Sequence, residues 1–159
     1  MVKLYKRVPK GTIRLEIEHA VYVPSTKNIN QKISEAEFKK RVITVRNYMR
    51  QNFYGSTSVK GIGNYSDKTN RSVDEKVVRV VNFADDKVYK QKRQQIITQV
   101  RSWGRQWGQE SIGYEVEGDM YYISTAPVKM RKERSKPKPK PKPKPRNKIP
   151  NSINMFNRW

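Results

Sequence analysis

The chain carries one histidine, His19, and no cysteine. That inventory excludes disulfides, thiolate metal sites, a Cys nucleophile and any His-rich metal cluster within one chain. His19 falls on the apolar side of an alternating segment, which favours a buried, satisfied histidine over a catalytic base. No serine sits in a nucleophile elbow, so the histidine has no triad to serve.

The acidic residues are few enough to weigh singly: Asp74 with Glu75, Asp85 with Asp86, then Glu110, Glu115, Glu117 and Asp119. Carboxylates converging on sites about 4 Å apart could hold the metals of a phosphodiester enzyme, and Asp74, Glu75 and Glu110 are the residues that would serve one. Plainer duties exist for most of them, namely helix capping for Asp85 and Asp86, a hairpin turn for Glu117 and Asp119, and solvated strand faces elsewhere. Gly61-x-Gly63 fails as a dinucleotide fingerprint, because position 66 is Ser66 and the segment leads toward a strand. These glycines read as a bulge or close approach within a strand.

Aromatic residues make up 10% of the chain. Open sheets can stack single-stranded RNA on such side chains, but the first strand projects only Tyr22 outward and the Lys/Arg-Gly-aromatic signature is missing. Trp103 and Trp107, four apart, read as core.

The elements that must position these groups are legible from periodicity. Thr12 to Val23 alternate, with Ile13, Leu15, Ile17, Val21 and Val23 on one side, as in a half-buried strand ended by Pro24. Ser34 and Glu37 form a capping box, and Phe38, Val42, Val45, Met49 and Phe53 recur at helical spacing, predicting a helix over about 35–52. An extended piece follows around 56–65. Val73 to Phe83 read as a central strand apolar on both faces, covered by helices. Asp85 or Asp86 caps a second helix with Tyr89, Ile96, Val100, Trp103 and Trp107 on one stripe and Gly108 as its stop. A hairpin over 111–116 and 120–124 completes the series. The order predicts an α+β fold, a ferredoxin-like split βαβ sandwich with an antiparallel sheet and two helices on one face.

The net charge of +21, from 35 basic and 14 acidic residues, is unevenly spread. Twelve of the basic residues and a single acidic one fall after Pro127. The chain divides into a basic N-terminal segment (1–11), the α+β domain (12–126), a basic polyproline-II arm (127–148) and an apolar C-terminal peptide (149–159). The Lys-Pro alternation of 136–145 forbids helix and makes a semi-rigid spacer, reaching about 65 Å from Val128 to Lys148 at ~3.1 Å per residue. Its cations, Lys129, Arg131, Lys132, Arg134, Lys136, Lys138, Lys140, Lys142, Lys144, Arg146 and Lys148, surround the rod and would read charge density without base sequence. Ile149, Ile153, Met155, Phe156 and Trp159 then form a candidate docking peptide. Lys39, Lys40, Arg41, Arg46 and Arg50 on the first helix, with Lys87, Lys90, Lys92, Arg93, Arg101 and Arg105 on the second, surround the apolar stripes and make the outer helical layer positive as well.

The motifs Phe53-x-Gly55-x-Thr57, Gly61-x-Gly63, Glu75 before a valine strand, and Trp107-Gly108-Gln109-Glu110-Ser111-Ile112 give 53–123 a further character. This stretch resembles a family of small uncharacterised ferredoxin-like proteins of bacteria and their viruses. The resemblance implies that fold and carriage by mobile elements, and it implies no activity.

Charge, arm and resemblance together predict a non-enzymatic structural or accessory protein of viral or mobile-element origin. It would bind nucleic acid or another polyanion non-specifically, as a minor virion component within a larger assembly, without a cofactor. The alternatives are a metal-dependent nucleic-acid enzyme and an adaptor for acidic protein partners. With no signal peptide and no run of about 18 apolar residues, the expected location is intracellular or packaged.

Overall fold

In a computed structural model of the chain, residues 10–28, 31–66 and 69–126 are described. The elements in order are β1 (Ile17–Pro24), β2 (Thr26–Lys27), β3 (Gln31–Lys32), α1 (Glu35–Phe53), β4 (Thr57–Ser66), β5 (Ser72–Ala84), α2 (Asp86–Gln106), β6 (Ser111–Val116) and β7 (Asp119–Ser124). The main sheet runs β4-β5-β1-β6-β7, antiparallel throughout. Without β7 this is the ferredoxin-like order, with each helix connecting strands that are not neighbours in the sheet. A short β2–β3 ladder stands apart from it.

Both helices begin where side chains can satisfy orphan amides. Ser34 Oγ accepts from the Glu37 amide at 3.2 Å. Asp85 Oδ1 accepts from the amides of Lys87 (2.9 Å) and Val88 (3.2 Å). Helix α1 packs on β5 and β1, and α2 on β6, β7 and β1, so both cover the same face. The core between them holds Val21, Val23, Val45, Met49, Phe53, Val80, Ile96, Val100, Trp103 and Ile112. Trp103 and Trp107 stack 5.9 Å apart with planes 3° from parallel, inside the core as their spacing implied. Helix α2 comes closest to the chain leaving β7 at Gly104, where an added Cβ would lie 2.3 Å from Thr125 Cγ2.

Three expectations are corrected. The first strand starts at Ile17, not at Thr12: β5 ends at Ala84, opposite Ile17, and turns into α2, so the β1–β5 ladder stops there, with the bond from Glu16 N to Ala84 O just beyond its end. Ile13 is accordingly 89% exposed despite its place in the alternation. Gly61 and Gly63 form no bulge, because the β4–β5 register runs unbroken from Thr57↔Val81 to Ser66↔Ser72. β5 is a central strand, but helices cover only one of its faces, the one bearing Val78 and Val80.

No described helix is long and apolar enough to cross a membrane. The arm and the apolar C-terminal peptide lie outside the described residues.

Candidate active site on the open sheet face

The face of the sheet away from the helices is organised around Arg79. Its Nε donates to Glu115 Oε2 at 2.9 Å, and its Nη2 donates to Glu115 Oε1 at 3.0 Å and to Glu18 Oε1 at 2.5 Å. Tyr22 Oη donates to Glu115 Oε2 at 2.6 Å. The Arg79 fork holds Glu115 below the usual carboxylate range. Burial, followed by the bond to Glu115, pushes the Tyr22 phenol up, so it stays neutral.

Beside this network a groove of about 530 Å³ opens toward the β2–β3 end of the sheet. Tyr22, Gly63, Glu75, Gln109, Glu110 and Tyr122 line it. Glycine at one of its wall positions follows from space, because a Cβ on Gly113 would come within 3.2 Å of Tyr22 Cβ; Gly63, opposite Glu75, has room for one, with Glu75 O 3.9 Å away.

Glu75 occupies an unusual place in the sheet. β1 ends at Pro24, paired with Val77, so the residue two before it on β5 faces a chain corner and no longer a strand. Ser25 N donates to Lys76 O at 3.1 Å, and Thr26 Oγ1 donates to Glu75 Oε1. The amides of Thr26 and Ser25 and the Arg41 charge also favour its ionised form, yet burial outweighs them and raises the Glu75 carboxyl above its ordinary value. Raised proton affinity in a cleft makes Glu75 a candidate working carboxyl.

The corner is fastened from behind. Arg41, expected in the exposed basic layer of the first helix, is instead only 4% exposed: it donates from Nη1 to Pro24 O (3.2 Å) and Thr26 O (2.9 Å), and from Nε to Glu37 Oε1 at 3.4 Å. Its guanidinium carbon lies 5.2 Å from the Trp107 ring centroid. Gln109 Nε2 donates to the same Thr26 carbonyl at 2.5 Å, and Asn28 N to Gly108 O at 3.0 Å, where Gly108 adopts φ +64.

Among the sequence candidates, Glu75 and Glu110 both line the groove. Asp74, the neighbour of Glu75, points to the opposite face by strand alternation and accepts from Asn64 Nδ2 at 2.5 Å, so the Asp74–Glu75–Glu110 set is not assembled. Among the described residues no three of His, Cys, Asp or Glu are grouped to hold a metal ion. Asp85 caps α2, Asp86 pairs with Lys90 at 2.6 Å, and Glu117, at φ 53, accepts from the Glu18 amide in the hairpin corner. His19 is fully buried, with Nδ1 3.3 Å from Tyr114 Oη. Thr26, Arg41 and Gln109 went unread as parts of a site, although Gln109 stands in the motif quoted for the family resemblance. Of those motifs, Gly63, Glu75, Gln109 and Glu110 line the groove, whereas Phe53, Gly55 and Thr57 line a separate cavity.

No family model and no curated protein matches the chain. Two solved structures are similar in fold. A phage SAM lyase in complex with S-methyl-5'-thioadenosine shares 18% identity at a TM-score of 0.49, covering 68% of this chain and 88% of that one. A phage SAM lyase in the apo state shares 19% identity at a TM-score of 0.49, over 71% and 94% of the two chains. Both are phage proteins similar in fold to this chain; the small ferredoxin-like family resembled in the sequence is matched by no family model. The expectation of a non-enzymatic structural protein is corrected against these two structures, which are both of a phage SAM lyase, an enzyme.

Proposed function

We propose that the groove is an active site and that the protein is an enzyme acting on a small, positively charged substrate. The observation that carries this reading is Glu75: a carboxyl held by Thr26 in a concave, tyrosine-lined site, with burial raising its proton affinity. A carboxylate desolvated in this way gains more from a cation than an exposed one, since both water and screening are reduced around it. Glu110 lines the same groove, and Tyr22, Tyr65 and Tyr122 bring rings that favour cations by roughly 0.5–2 kcal/mol each where they make contact.

SAM, a sulfonium cation, is the first substrate to test. Purified protein incubated with SAM is followed by chromatography for its disappearance, and binding of SAM and S-methyl-5'-thioadenosine is measured by calorimetry. The reading expects consumption of SAM that Glu75→Gln lowers at least tenfold, as for loss of a charged contact of roughly 1.5–3 kcal/mol. Neither binding nor consumption of SAM would remove it as the substrate, and wild-type activity in Glu75→Gln would remove Glu75 from the site.

A further inference from the structure

The Glu75 carboxylate has no strand beside it on the β1 side, so its place depends on a loop corner, and that corner is tied down from within the protein. Arg41 reaches from α1 through the core to the carbonyls of Pro24 and Thr26, while Gln109 takes the Thr26 carbonyl from the start of β6. A nearly buried guanidinium bonded to two backbone carbonyls, stacked on Trp107 and backed by Glu37, is an expensive arrangement for mere surface anchoring.

We propose that Arg41 is a positioning residue for the groove: it fixes the 24–26 corner so that the Thr26 hydroxyl holds the Glu75 carboxylate at the substrate wall. Its importance to catalysis rests on the function proposed above, whereas its hold on Glu75 can be measured independently. The charge of Arg41 acts in the same sense, favouring ionised Glu75 against the burial that opposes it. The other titratable groups lining the groove are Tyr22 from β1, Tyr65 from β4, Glu110 ahead of β6 and Tyr122 from β7.

The test is a carbon-detected NMR titration of the Glu75 side-chain carboxyl in the full chain, for wild type, Arg41→Gln, Arg41→Lys and Thr26→Val. Arg41→Gln and Thr26→Val should move the Glu75 midpoint upward, Arg41→Lys should move it less, and SAM binding at pH 7 should weaken roughly 10- to 100-fold in Arg41→Gln, as for a misplaced binding group. A folded Arg41→Gln protein with an unchanged Glu75 titration overturns the proposal. Should Arg41→Gln fail to fold, the wild type decides: the Arg41 guanidinium resonances must shift with the same midpoint as Glu75, and their indifference overturns it too. If SAM does not bind but the Glu75 midpoint moves as stated, the positioning role stands and only the substrate reading fails.

Discussion

The hydroxyl of Thr26 donates to the carboxylate of Glu75, joining residues 49 apart across the end of the sheet. The contact exists because β1 stops at Pro24 while β5 continues outward, so the corner after β1 occupies the place a further strand residue would have taken. A carboxyl at that point is sheltered from water on one side and open to the groove on the other.

Glu75→Gln should raise thermal stability at pH 7 while reducing ligand binding. Burial raises the folded-state affinity of Glu75 for its proton, so its stability contribution is greatest at low pH and falls as pH rises through the folded midpoint. Removing the charge relieves that cost, an exchange of function for stability often met at active sites. Thermal melts at pH 4 and pH 7 check this, with the gain larger at pH 7. A variant less stable than wild type at pH 7 contradicts it.

Cation binding in the groove should weaken as pH falls through the raised midpoint of Glu75, because the neutral acid no longer attracts the ligand. Calorimetry of SAM binding between pH 4 and pH 8 should therefore show affinity rising with pH and proton release on binding at the lower end. A flat profile that persists in Glu75→Gln would place the charge that matters elsewhere.

His19 makes the fold sensitive to acid on its own account. Burial lowers its pKa from 6.5 to about 4, so the folded state keeps it neutral while the unfolded chain protonates first. Stability from this residue is present above pH 6.5 and is lost as pH falls toward 4, by roughly 3 kcal/mol in all. Denaturant unfolding at pH 7, 5.5 and 4 measures the loss, and a His19 side-chain titration near 6.5 in the folded protein would refute the assignment.

Gly104→Ala should destabilise the domain by about 1–3 kcal/mol, the usual range for overpacking a close contact. The added methyl would meet Thr125 and, at 3.0 Å, Ile112 Cγ1. Thr125→Ala in the same chain should recover part of the loss, since it removes the nearest atom. Equal melting temperatures for wild type and Gly104→Ala would show that α2 yields without cost.

Much of the architecture was legible in the residues themselves. Ser34, Asp85 and the apolar stripes at 45, 49, 53 and 96, 100, 103 specify both helices, because caps and 3.6-residue periodicity are local properties of the chain. Strand order followed from the succession of elements, given the handful of ways two helices can cover one sheet. Glu75 and Glu110 were visible as carboxylates, and Tyr22 as an outward aromatic. Their shared groove was not visible, nor were Thr26, Arg41 and Gln109 as parts of it.

The amino-acid sequence by itself determined which segments are helix and strand, which faces are apolar and where the basic residues concentrate. Tertiary structure alone decided where pairing ends. Ile13 and Leu15 alternate like strand residues but find no partner strand, whereas Thr26, which no local pattern marks, meets Glu75 and shares its carbonyl with Arg41 and Gln109. Alternation and helical spacing report contacts within a turn or a pleat; a site built from residues as distant in the chain as Tyr22 and Tyr122 depends on the strand lengths and register that bring them together.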